Sequence, residues 1–115
     1  MKNMKNRIPV CPHANREDID PYLVLSLIQL ERSIGVPLEF SSGYRCKACN
    51  AAVGGVKNSA HLRGKAVDIL ADTSSERFSI VKTALSLGFL RLGVGKTFVH
   101  VDIDTALPQQ MLWLY

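Results

Sequence analysis

Two short segments constrain the fold more than any other part of the chain. Lys65-Ala66-Val67-Asp68-Ile69-Leu70 and Phe98-Val99-His100-Val101-Asp102-Ile103 both alternate in strand fashion. A period of two sends neighbouring side chains to opposite faces of a sheet. In the first segment Ala66, Asp68 and Leu70 share a face; in the second His100 and Asp102 share one, opposite Val99, Val101 and Ile103. If the two strands are neighbours, Val67, Ile69, Val99, Val101 and Ile103 form a common apolar face. The other face then sets Asp68 across from His100, with Cβ atoms about 5 Å apart.

An apolar sheet face has to be covered, and the flanking sequence supplies helices. Asp18 or Asp20 is a suitable N-cap, Pro21 suits the first helical position, and Leu23, Leu25, Leu27, Ile28, Leu30 and Ile34 recur with helical character up to Gly35. The spacing predicts a helix over 20–34. Val36 to Phe40 reads as a short strand starting near Pro37, and 46–53 as a short helix ending at Gly54-Gly55. Asp72-Thr73-Ser74-Ser75-Glu76 opens a second long helix, with Phe78, Val81, Ala84, Leu85 and Leu87 as its apolar side and Gly88 as its stop. Phe89 to Val94 is a further strand, turned at Gly95-Lys96 into 98–103. The tail from Leu107 to Tyr115 is apolar enough to pack back on the body. Residues 1–16, broken by prolines, are expected as an extended arm. This order implies an α+β fold: a small, mainly antiparallel sheet with helices packed on one side. With 115 residues, 47% of them hydrophobic, the chain suits one domain spanning 1–115.

The formal charge is +4, which favours anionic surroundings. Apart from a basic start at Lys2, Lys5 and Arg7, the cations are scattered. There is no Arg-rich recognition helix and no platform of interleaved aromatics, so nucleic acid is not the expected partner. No run of about 18 apolar residues exists, which argues against membrane insertion. No apolar stretch follows Lys2 and Lys5, so the expectation is synthesis in the cytoplasm without a signal peptide. A monomer is expected.

The polar face carries the chemistry. His61 and Asp68 are seven residues apart; on one continuous helix they would stand about 10 Å apart along the axis, too far to share an ion whose ligands each lie about 2 Å from it. Gly64 permits a bend that turns His61 back toward the strand. His61, Asp68 and His100 then form a two-His, one-carboxylate set, which leaves a fourth tetrahedral position for water, as in catalytic zinc sites. Zinc lowers the pKa of that water to about 7. Asp102, on the face of His100, is the carboxylate best placed to take its proton. Spacing alone leaves other readings open: a surface histidine, a turn aspartate and a satisfied sheet histidine, or a site for iron or another transition metal. The three cysteines divide similarly. Cys46-Lys47-Ala48-Cys49 with Cys11-Pro12-His13 allows a second, structural zinc site of the Cys3His kind, while three reduced thiols are the simpler reading.

At these residues the chain resembles a known family. Ser42-Gly43-Tyr44-Arg45, then Ser59-Ala60-His61-Leu62-Arg63-Gly64-Lys65-Ala66-Val67-Asp68-Ile69, then Phe98-Val99-His100-Val101-Asp102, look like the motifs of the M15 peptidases. These are zinc D-alanyl-D-alanine carboxypeptidases, dipeptidases and phage endolysins, and the likeness is to the short phage-type branch with a His-Val-Asp third motif. It covers roughly residues 22–104. It implies zinc on His61, Asp68 and His100. It implies that Arg45 contacts substrate and steadies the tetrahedral intermediate, and that Ser59 hydrogen-bonds the substrate backbone. The implied reaction is hydrolysis of peptidoglycan stem peptides, at a bond involving a D-amino acid, by a carboxypeptidase or an endopeptidase. Synthesis without a signal peptide fits a phage-type release to the cell wall, and the same sequence fits equally a chain cut from its export signal. Two features depart from the pattern. Thr97 stands where many relatives carry the catalytic Glu or Asp, and no second histidine lies nearby, which leaves Asp102 by position, with Asp104 or water as alternatives. Cys49 occupies a place where an apolar helix residue is expected. The competing function is a non-catalytic, zinc-stabilised wall-binding or phage structural module.

Overall fold

The computed structural model describes residues 3–115, and Lys2 lies outside them. The chain opens on one helical turn, α1 (Met4–Arg7), capped by the Asn3 side chain. The expected arm is thus not extended throughout. Met4 and Ile8, four residues apart, are both buried in the core, and the helical turn stacks them on one face. The Arg7 guanidinium then grips both carboxylate oxygens of Glu31 and the Leu38 carbonyl.

Helix α2 (Pro21–Ile34) begins as expected: Asp20 caps it, Pro21 takes the first turn, and Gly35 closes it in the left-handed region at φ 84°. Leu23, Leu27 and Leu30 form its buried stripe, whereas Leu25 faces outward. Leu27 and Leu30 are wholly buried, a burial that stabilises by about 1.5–3 kcal/mol per side chain. Strand β1 (Phe40–Ser42) starts later than expected, because the Glu31 carboxylate accepts the Leu38 N–H and ties residue 38 to α2 rather than to a ladder. Helix α3 (Lys47–Ala52) and a 3-10 turn, Ala60–Arg63, lead into β2 (Ala66–Leu70).

Helix α4 (Ser74–Ser86) opens on a capping box between Thr73 and Glu76. Its buried residues are Ile80 and Ala84, with Val81 partly buried. Phe78 and Leu85, expected on the apolar side, are exposed: seven apart, they lie on a different stripe from 80 and 84. Strands β3 (Arg91–Val94) and β4 (Phe98–Asp102) follow, and the tail forms a strand of its own, β5 (Met111–Leu114).

The sheet has the order β1-β2-β4-β3-β5 and is antiparallel except for the β3–β5 pair. Val67, Ile69, Leu92, Val99 and Val101 join the α2 and α4 side chains in one core, so the two long helices cover one face. Among the described residues no helix is long and apolar enough to cross a membrane. The opposite face of the sheet holds the polar residues.

Candidate metal centre

The register delivers the pairing that strand parity implies. Asp68 lies directly opposite His100, Gly93 is the next partner of His100, and Trp113 is the partner of Gly93. These four form one row across β2, β4, β3 and β5. Gly93 leaves room in that row: a Cβ there would stand 2.4 Å from the Trp113 indole nitrogen. The Trp113 ring therefore reaches over to His100, with ring centroids 5.3 Å apart. Two residues along, on the same face, Asp102 is paired with Arg91 and Ala66.

His61 reaches the row from the 3-10 turn. Ser59 caps that turn, its hydroxyl accepting the His61 N–H at 3.1 Å, and Gly64 ends it at φ 66°. The bend expected at Gly64 is thus present, and it turns the chain from His61 into β2. His61 and His100 meet edge to face, with centroids 5.0 Å apart.

Three electron-pair-bearing atoms converge on this spot. The Gly43 carbonyl can only accept, so the 2.7 Å contact with His61 Nδ1 requires a proton on Nδ1. That leaves His61 Nε2 as the free nitrogen, 3.3 Å from Asp68 Oδ1. His100 Nε2 donates to Asp102 Oδ2 at 2.7 Å, and His100 Nδ1 lies 2.9 Å from the same Asp68 oxygen. Ligand-type atoms of His61, Asp68 and His100 all lie within 4.8 Å of one another. Two imidazole lone pairs and a carboxylate aimed at each other repel unless a cation lies among them. Without a metal, a proton serves. Burial pushes His100 down, yet its hydrogen bonds to Asp102 and Asp68 outweigh that and hold it above its ordinary value. Burial pushes the Asp68 carboxyl up, and its contacts with His100 and His61 more than reverse that, holding it well below the usual carboxylate range. The donor set suits zinc, and each histidine's other nitrogen is fixed by an acceptor, as metal-binding histidines require.

Asp102, the residue expected as general base, has both carboxylate oxygens engaged. It is 1% exposed. Oδ2 receives the His100 proton, while Oδ1 accepts from Arg91 Nε at 2.8 Å and from the Asp104 N–H at 3.1 Å. Both oxygens are engaged behind the imidazole, so the residue orients His100. Asp104 is buried as well, held by Arg63 and accepting the Ala106 N–H, and it is not among the residues lining the cleft. Thr97 precedes β4, and its carbonyl accepts the Ala71 N–H.

The cluster forms the floor of a cleft of roughly 570 Å3, whose walls include Arg45, Ser59, Arg91, Trp113 and Tyr115. Arg45 is anchored through its backbone N–H to the His61 carbonyl, and its buried Nε has no partner among the described residues. The Ser59 oxygen already accepts one bond, leaving its proton to donate. Three contributors were not singled out from the sequence: the Gly43 carbonyl, Arg91 and Trp113. Gly43 lay within the quoted Ser-Gly-Tyr-Arg motif, and a Cβ there would stand 2.3 Å from the Pro9 carbonyl. Trp113, the single tryptophan of the chain, sat in a tail read only as apolar.

The cysteines form a second group. Cys11, Cys46 and Cys49 offer sulfur atoms within 4.8 Å of one another, and His13 is not part of the set.

A family model described as Peptidase M15 matches residues 3–102. No curated protein matches the chain.

Proposed function

This chain belongs to the Peptidase M15 family of metallopeptidases, and on that premise we propose that it is a zinc-dependent enzyme hydrolysing peptide bonds in peptidoglycan stem peptides. The observation that carries the reading is the convergence of His61 Nε2, Asp68 Oδ1 and His100 Nδ1, with the remaining imidazole nitrogens tied to Gly43 and Asp102. When bound, zinc supplies Lewis acidity, polarising a carbonyl and lowering the pKa of water.

The chain's own residues do the rest. Gly43 and Asp102 hold the imidazole protons on the far nitrogens and so aim the near ones. Arg45 lines the cleft, and its charge, fixed at any working pH, suits a substrate carbonyl or carboxylate. The Ser59 hydroxyl lines the same cleft and donates to the peptide backbone. Trp113 and Tyr115 give the stem peptide an apolar wall. The lining's two carboxylates, Asp68 and Asp102, and two guanidiniums, Arg45 and Arg91, balance. A divalent cation therefore leaves the cleft positive, which suits a carboxylate-bearing peptide.

Incubation of zinc-loaded protein with purified peptidoglycan tests this. New amino groups should appear and should vanish with a chelator; no release at any pH from 5 to 9 would sink the proposal. Mass analysis of the products separates loss of a terminal residue from cleavage within the stem. A second reading, a non-catalytic zinc-stabilised wall-binding module, draws on one observation. Among the described residues, the cleft lining contains no carboxylate beyond Asp68 and the fully engaged Asp102.

A further inference from the structure

The three cysteines come from two segments 35 residues apart, and the fold brings them together beneath the loop that carries Arg45. Cys11 Sγ lies 3.5 Å from Cys46 Sγ. Two sulfurs bound to one tetrahedral ion, each at about 2.3 Å, lie about 3.8 Å from each other. The third sulfur, Cys49, is within 4.8 Å of both. The Cys46 N–H also points at Cys11 Sγ at 3.5 Å, a donor that favours a thiolate over a thiol. The backbone around the group is already paired: Cys11 N–H donates to the Tyr44 carbonyl, and Tyr44 N–H to the Pro9 carbonyl. Reduced thiols are weak hydrogen-bonding groups and gain little from such a gathering. A disulfide would use two sulfurs and leave the third without a role. One thiophilic ion uses all three.

We propose that Cys11, Cys46 and Cys49 bind a second metal ion of the zinc class, outside the cleft. Binding replaces three thiol protons with one divalent cation, and solvent fills the fourth position. The ion would clamp residues 9–11 to residues 43–46. That clamp sits behind the cleft, because Gly43 orients His61 and Arg45 hydrogen-bonds the His61 carbonyl. The inference does not rest on the peptidase reading, since it uses none of the cleft residues as ligands.

The full chain, purified under reducing conditions and loaded with zinc, should hold two ions, against one in Cys49→Ser and one in His61→Ala. Loading with cobalt(II) should give the intense near-ultraviolet thiolate-to-metal band in the wild type and in His61→Ala, but not in Cys49→Ser. If Cys49→Ser does not fold, the wild type alone decides. Its three thiols should resist alkylation with metal bound and react once a chelator is added. Three freely reactive thiols in zinc-loaded protein, or a metal-free chain two hydrogens lighter with a Cys11–Cys46 bond, would overturn the proposal. A missing cobalt band leaves the peptidase reading standing; absence of peptidoglycan cleavage with the band present leaves this one standing.

Discussion

Asp102 and His100, two residues apart on one strand, are joined side chain to side chain: His100 Nε2 donates to Asp102 Oδ2 at 2.7 Å while its other nitrogen faces Asp68. With both its oxygens engaged, Asp102 is expected to aim His100 rather than to handle a reacting proton. Asp102→Asn separates the two roles. An orienting carboxylate loses about 10–100-fold in metal affinity when replaced, and much of the activity returns at saturating zinc. A general base would instead lose about 10²–10⁴ in kcat with affinity for zinc unchanged. Zinc titration with kcat measured at each point distinguishes them. Because Arg91 also rests on Asp102, the melting temperature should fall as well.

Removal of the ion should cost stability as well as activity. The cluster of His61, Asp68 and His100 is preformed by the sheet and the 3-10 turn before it, so binding favours the folded state. With free zinc at about 100 times Kd the gain is about 2.7 kcal/mol. Thermal melts with zinc, with chelator and with zinc restored should show a lower midpoint only in the chelated sample. Equal midpoints would mean that the three side chains do not share an ion.

Gly64 ends the turn that carries His61 at φ 66°, and a Cβ there would stand 2.4 Å from the Asp18 carbonyl. Gly64→Ala meets both a backbone penalty and a collision with main chain. A destabilisation of about 1–3 kcal/mol is expected, together with weakened zinc binding as the turn shifts. Urea denaturation checks the first effect and calorimetric zinc titration the second. A variant as stable as the wild type would contradict this geometry.

Glu31 clips α1 to α2 through Arg7 and holds the Leu38 N–H. The Arg7 hydrogen bond keeps its carboxyl below its ordinary value of 4.5, against the opposing effect of burial. A depressed carboxylate contributes stability that is complete above its unfolded value and lost as pH falls through its folded one. Glu31→Gln should therefore cost about 1 kcal/mol near neutrality, a modest figure because both side chains are partly exposed. The difference from wild type should shrink as the pH drops below 4.5. Stability measured from pH 7 down to 3 tests the sign; a difference that grows in acid would refute it.

The local sequence determined much of this molecule. Asp20-Pro21 and Gly35 bound one helix, Thr73 and Glu76 cap another, and alternation in 65–70 and 98–103 sets which residues share a face. These depend on short-range sterics and hydrogen bonding, which a sequence carries openly. The polar row with Asp68 opposite His100 was legible for the same reason. Tertiary structure decided what depends on neighbours distant in the chain. It placed Pro9 against Gly43 and so presented a carbonyl to His61. It turned the tail into a strand, setting Trp113 over the space left by Gly93. It surrounded Asp102 with Arg91, His100 and the Asp104 amide, so that both carboxylate oxygens are engaged. Residue type and spacing show that a carboxylate is near an imidazole; only packing shows how many partners already claim it.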